Sequence, residues 1–221
     1  MISPLIEQFS TSHTYYKDPL FFLSLFLHRI FPEEISRVIM LDIDLRFEHD
    51  IEELYQLFDQ FNTSQIIGIA RENQPVYRHL LWSYRQENPR TDVGDPPPNG
   101  LTGFNSGVLL LHLAQIRQSN LFNAYLNNSH LVERLLRKYH FTHPHLGDQD
   151  FYSLLSFEHR ELFYFLPCYW NRQLCTWWKG KGYDDVWENY YNCNNDRNIR
   201  LYHGNCQTVI PKKINQNKVE L

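Results

Sequence analysis

Residues 38–41, Val-Ile-Met-Leu, form a short, wholly apolar run that ends in two carboxylates, Asp42 and Asp44, with Ile43 between them. An apolar run without alternation is what a strand covered on both faces requires, and such strands belong to sheets flanked by helices. Two further runs repeat the pattern. Residues 66–70 are short, apolar and rich in isoleucine, while 104–111 begin polar and become wholly apolar, as a central strand does when its start lines a pocket. Helical patterns separate them. Asp18-Pro19 supplies an N-cap and first-turn proline to a mostly buried helix that runs to Ile30 and is stopped by Pro32. Asp50 opens a capping-box-like start, with Ile51, Leu54, Leu57, Phe58 and Phe61 on one face. Residues 75–87 and 121–139 are spaced as helices, 95–100 as loop, and 143–150 as a polar loop. Strands alternating with helices predict an α/β fold with a mixed rather than purely parallel sheet.

The 221 residues, 43% of them hydrophobic, suffice for one domain with a sizeable core, and no repeat or linker divides the chain. A single domain over 1–221 is expected, with 1–16 as an arm of no clear pattern. The net charge of -4, with basic residues scattered, leaves no electrostatic footprint for nucleic acid or an acidic membrane surface. The longest apolar run, 20–27, is too short to span a bilayer, and no signal-peptide pattern is present. Cys168, Cys175, Cys193 and Cys206 all lie late in the chain without metal-site spacing, which favours two disulfides in a loop-rich region over four reduced thiols. Two glycosylation triplets, at Asn62 and Asn127, tilt toward the secretory pathway. Gly-x-Ser-x-Gly, Walker and Gly-x-Gly-x-x-Gly patterns are missing, which removes serine hydrolases, P-loop enzymes and Rossmann dehydrogenases.

Side chains two apart on an extended chain point to one side, so Asp42 and Asp44 can converge on one hard divalent cation. Two carboxylates leave an octahedral shell unfilled. His203, which with Gly204 ends the short strand expected over 199–204, is the candidate nitrogen ligand. Asn105 and Ser106 open the strand 104–111 with an amide and a hydroxyl for a polar ligand. The loop Gly147-Asp148-Gln149-Asp150 suits sugar hydroxyls, and Asp148 can also cap a helix over 150–157. Trp177 and Trp178 offer flat apolar faces of the kind a pyranose packs against. His112, His140, His143, His145 and His159 lack the spacing of a zinc hydrolase helix and are read as structural or solvated. The region between residue 158 and residue 199 is read as irregular.

Leu41-Asp42-Ile43-Asp44, Gly103-Phe104-Asn105-Ser106-Gly107-Val108, His145-Leu146-Gly147-Asp148-Gln149-Asp150 and Tyr202-His203-Gly204-Asn205, in this order, resemble the motifs of the retaining glycosyltransferases of family 8. The stretches 70–79 and 170–178 are similar to a xylosyltransferase branch of that family. The resemblance implies a GT-A type mixed sheet and a Mn2+ (or Mg2+) ion held by Asp42, Asp44 and His203 against the diphosphate of UDP-xylose. It implies donor contacts from Ile43, Asn105, Ser106, Asp148 and Gln149, with Asp148 and Gln149 as the catalytic pair and Gln149 beneath the anomeric carbon. Trp82, Trp178 and Asn205 are then expected to face the acceptor, a xylose linked to glucose on an EGF-like repeat, whose 3-OH receives α-xylose. Disulfides pairing Cys168 with Cys193 and Cys175 with Cys206, and an endoplasmic reticulum setting, follow from the same resemblance. The family's lysine shortly after the histidine and glycine is missing here. Family members also carry nucleotide-binding strands, and in this branch an anchor, upstream of the Asp-x-Asp strand, so the chain is expected to be N-terminally truncated. Two other readings use the same motifs: a non-catalytic carbohydrate-binding pseudoenzyme, and an Asp-x-Asp phosphatase, which Leu45-Arg46 after Asp44 disfavours.

Overall fold

The computed structural model describes residues 7–9, 18–144, 146–193 and 198–212. His145 and most of 1–16 lie outside the described residues. The strands are β1 (Val38–Leu41), β2 (Leu45–Phe47), β3 (Ile67–Arg71), β4 (Phe104–Leu111), β5 (Phe163–Leu166), β6 (Arg172–Gln173) and β7 (Leu201–His203). Four form one sheet in the order β1-β4-β3-β5, and three form a second, β2-β7-β6. In the larger sheet β4 runs antiparallel to both neighbours, whereas β3 and β5 are parallel. The sheet is therefore mixed, as the sequence predicts.

Alternation along β3 and β4 divides the interior into two cores. Ile67, Ile69, Leu109 and Leu111 point into a large cluster with Phe22, Leu25, Phe151 and Tyr152. Ala70, Val108 and Leu110 point the other way, onto Leu54, Phe58, Trp170 and Leu201. That two-sided burial explains why these strands carry no polar alternation. β1 differs from expectation: all four of its residues are half-buried, because it pairs on one side only, with β4.

Several local features also depart from the sequence reading. The helix that Asp18 caps, through a hydrogen bond from Leu20 N–H (2.9 Å), winds as a 3-10 turn over Pro19–Phe26 before closing as α1 (Leu27–Ile30). Asp50 caps α2 (Ile51–Tyr55) as expected. Between 75 and 87 lie two short helices, α3 (Val76–Leu80) and α4 (Trp82–Glu87). After β4 comes α5 (Leu113–Gln118). The predicted helix 121–139 is two, α6 (Asn120–Asn127) and α7 (Ser129–Lys138), because Asn128 turns its side chain onto His130 N–H and caps the second. Helix α8 (Asp148–Glu158) begins two residues earlier than expected, so Asp148 is its first residue and not its cap. Gly147 enters it at φ 63°, where a Cβ would lie 2.9 Å from the Phe21 carbonyl oxygen. The supposedly irregular stretch holds β5, β6 and α9 (Asp184–Tyr191), stapled by disulfides Cys168–Cys193 and Cys175–Cys206. Within the described residues 7–9, Phe9 is buried against Phe22 and Phe151. Among the described residues no helix is long and apolar enough to cross a membrane.

Candidate active site

The Asp-x-Asp segment is not itself strand but the turn that carries the chain from one sheet to the other. On one side Asp42 N–H extends the β1–β4 ladder to the Gly107 carbonyl at 2.9 Å. On the other, β2 pairs with β7 so that Leu45 faces His203, and Gly204 N–H bonds to the Asp44 carbonyl at 2.8 Å. Strand register therefore delivers His203 to the two carboxylates. Its Nε2 lies 3.6 Å from an oxygen of Asp42 and 3.3 Å from one of Asp44, and one donor atom from each residue fits within 4.8 Å of the others. Gly107 makes room: a Cβ there would stand 2.3 Å from the His203 ring and 3.0 Å from Asp42.

A chain of hydrogen bonds fixes which nitrogen of His203 is free. Gly107 N–H can only donate, so the Asn105 atom 3.2 Å away is an oxygen. That oxygen also accepts from the Asn171 amide nitrogen at 2.9 Å, which leaves the Asn171 oxygen 3.0 Å from His203 Nδ1. Nδ1 therefore carries the proton, and Nε2 presents a lone pair to two carboxylates. Three electron-rich groups facing one another without a hydrogen between them fit a cation, and two carboxylate oxygens with one imidazole nitrogen are a donor set suited to Mn2+. The electrostatics agree. Burial lowers the His203 pKa against the pull of Asp44 and Asp42, keeping the imidazole neutral. Partial desolvation, with Asp44 beside it, raises Asp42 while His203 pulls it down.

This triad opens on a cavity of about 450 Å³ also lined by Ser106, Asp148, Gln149 and Trp178. Asp148 is buried beneath it, accepting from Ser106 Oγ at 3.0 Å and from Ser24 Oγ, which in turn accepts from the Tyr152 hydroxyl at 3.0 Å. Burial pushes the Asp148 carboxyl up to about 7, with the two serine hydroxyls pulling the other way. The Ser106 N–H donates to the Gln149 side-chain oxygen at 3.3 Å. Also in the lining, the Trp178 backbone N–H donates to the Gln74 side-chain oxygen at 3.2 Å, and its ring packs against His79 and Tyr183. Asn205 is anchored by its oxygen, which accepts from Leu174 and Cys175 N–H at 3.0 and 2.9 Å beside the Cys175–Cys206 disulfide.

Of the residues singled out from sequence, Asp42, Asp44, His203, Asn105, Ser106, Asp148, Gln149, Trp178 and Asn205 line this one cavity. Ile43 and Trp82 do not. Ile43 stands free of the protein surface, and Trp82, 60% exposed, sits in a separate depression with Arg78, Arg85 and Tyr183. Sequence reasoning missed Ser24, Glu72 and Gln74 in or beneath the cavity wall, and Asn171 behind His203. Glu72 had a readable signal. It follows an apolar strand at its carboxyl end, as Asp42 does, and such ends are where ligands gather in α/β sheets.

The profile of Glycosyl transferase family 8 matches residues 4–205. Over 201 residues the chain is 55% identical to xyloside xylosyltransferase 1 of Mus musculus, and over 199 residues 54% identical to that of Homo sapiens, covering 91% and 90% of this chain. It spans half the length of either relative, 50% in each case. The crystal structure of mouse xyloside xylosyltransferase 1 in its apo form superposes with a TM-score of 0.88 at 52% identity, over 95% of this chain and 73% of that one. A structure of galactosyltransferase LgtC, at 16% identity and a TM-score of 0.52, shares the fold.

Proposed function

Because the chain belongs to glycosyl transferase family 8, we propose that it transfers α-xylose, with retention, from UDP-xylose to the 3-OH of a xylose on an O-glucosylated EGF-like repeat. The observation that carries this reading is the convergence of Asp42, Asp44 and His203 in one cavity that Asp148, Gln149, Trp178 and Asn205 also line. A cation at the triad, Mn2+ rather than Mg2+ because one ligand is a nitrogen, would supply charge neutralisation to the departing diphosphate. The protein's own groups do the rest. Ser106 and Ser24 hold Asp148 from two sides, and Ser106 N–H fixes Gln149, so that both are set under the reacting sugar before it arrives. Trp178 and Asn205 receive the acceptor, the indole stacking on an apolar sugar face. Asp148, neutral for part of the time near pH 7, adds little repulsion toward an incoming diphosphate. Two disulfides favour an oxidising compartment of the secretory pathway, where EGF-like repeats fold.

The test is to incubate the chain with Mn2+, UDP-xylose and a xylosyl-glucosyl EGF-like repeat and to weigh the product. A mass gain of one pentose is expected, and Asp44→Asn should reduce it by more than about a hundredfold. Transfer that survives this substitution would overturn the metal seat. Acceptor binding without turnover in the wild type would make the protein a carbohydrate-binding pseudoenzyme, and phosphate release from simple monoesters would make it a phosphatase.

A further inference from the structure

One charged group in the cavity wall is left without use by the reading above. Glu72 follows β3 and is buried, 3% exposed, between the cavity that holds the triad and a second hollow beside Cys168. Its backbone is held rigidly. Glu72 N–H bonds to the Gly103 carbonyl at 3.0 Å, and the buried Gln173 clasps the residues on either side, donating to the Arg71 carbonyl and the Asn73 side-chain oxygen and accepting from Asn73 N–H. One carboxyl oxygen accepts a long bond, 3.4 Å, from the Asn105 amide nitrogen. The other makes no well-formed hydrogen bond among the described residues, although the Asn73 and Gln74 N–H groups act on the carboxyl.

A buried carboxyl left half unpaired is expensive to keep. A packing role would be served better by an apolar residue of similar volume, so a group on the cavity side is needed to complete its bonding. Burial pushes the Glu72 carboxyl up to about 7, with Asn105 and the neighbouring backbone N–H groups pulling it only partly back, so at neutral pH it is protonated part of the time and can then donate as well as accept. A sugar hydroxyl, itself donor and acceptor, matches this; a phosphate does not. Glu72 also lies on the acceptor side, since its neighbour but one, Gln74, holds the backbone of Trp178.

We propose that the Glu72 carboxyl hydrogen-bonds a hydroxyl of the acceptor sugar and thereby selects the acceptor. This rests on the xylosyl-transfer reading, and the experiment separates the two. Transfer to a xylosyl-glucose disaccharide and to its monodeoxy analogues is measured for the wild type, Glu72→Ala and Glu72→Gln, alongside UDP-xylose hydrolysis without acceptor. Glu72→Ala should raise the acceptor KM roughly ten- to a hundredfold, whereas Glu72→Gln, whose amide oxygen still accepts from Asn105, should raise it less and leave donor hydrolysis within about twofold. One deoxy analogue should cost the wild type the same factor and cost Glu72→Ala nothing more. An unchanged KM in Glu72→Ala, or donor hydrolysis that falls in step with transfer in both variants, would overturn the proposal. If the wild type does not transfer at all, the xylosyl-transfer reading fails alone. Sugar contact is then read from disaccharide binding by saturation-transfer NMR, where loss in Glu72→Gln supports the role and unaltered binding refutes it.

Discussion

Asn171 touches neither carboxylate of the triad, yet the free nitrogen of His203 depends on it. Its oxygen holds Nδ1–H at 3.0 Å, and its own orientation is set by Asn105, which Gly107 N–H fixes in turn. Replacing Asn171 with Leu would leave a buried N–H unpaired and let the ring turn or change tautomer. Mn2+ affinity should then fall roughly ten- to a hundredfold, read from the free-ion signal in electron paramagnetic resonance, whereas Asn171→Asp, which keeps an acceptor at that place, should retain most of it. Equal affinity in Asn171→Leu would show that the hydrogen bond does not position the ligand. Nothing in the run Trp170-Asn171-Arg172 distinguishes this asparagine in sequence, because its role is defined by a partner 32 residues away.

At the scale of elements, the site is a junction of two sheets. β1 hands over Asp42, β2 begins just after Asp44, and the register of β7 on β2 places His203 between them. β4 passes behind this junction, and Gly107 stands against the His203 ring. Gly107→Ala should push its Cβ into the imidazole, destabilising the fold by about 1–3 kcal/mol and displacing a metal ligand. A lower melting temperature together with lost Mn2+ binding is expected in calorimetry and titration; intact Mn2+ binding would mean that the junction yields more than its geometry suggests. β2, with Arg46 at its centre, was not read as a strand; β1 and β4 were legible because each carries an apolar run. The 3-10 winding of Pro19–Phe26, the break at Asn128 and the strands of the disulfide-tied region were not, since side-chain caps and packing decided them rather than periodicity.

Across the whole molecule, the two buried carboxyls of the cavity link stability to pH. Glu72 and Asp148 both titrate near 7 when folded, against ordinary values of 4.5 and 3.8, so the folded chain binds more protons than the unfolded one between those limits. The sign follows: their contribution is most favourable below the unfolded values, declines as pH rises through the window, and is lost above about 7. Glu72→Gln removes one such group, so between pH 5 and pH 8 it should gain on the wild type by on the order of 3 kcal/mol. Urea denaturation of both proteins at the two pH values, with chelator present, measures this; a difference that does not change with pH would show that Glu72 is solvated. By itself the sequence determined the α/β class, the capped helix starts at Asp18 and Asp50, and the Asp42–Asp44 carboxylate pair, because apolar runs, caps and the two-residue spacing are written locally; His203 was a candidate partner that strand register brings to them. Only the tertiary structure decided that Asp148 lines a cavity as the first residue of a helix, that Trp82 and Trp178 line different hollows, and that Glu72 is buried with an oxygen to spare. Burial and the number of partners left to a polar group are set by residues far along the chain, and no local pattern carries them. The carboxylate pair at Asp42 could thus be named from spacing, but the neutral imidazole beside it and the spare oxygen of Glu72 could be found only once the sheets had met.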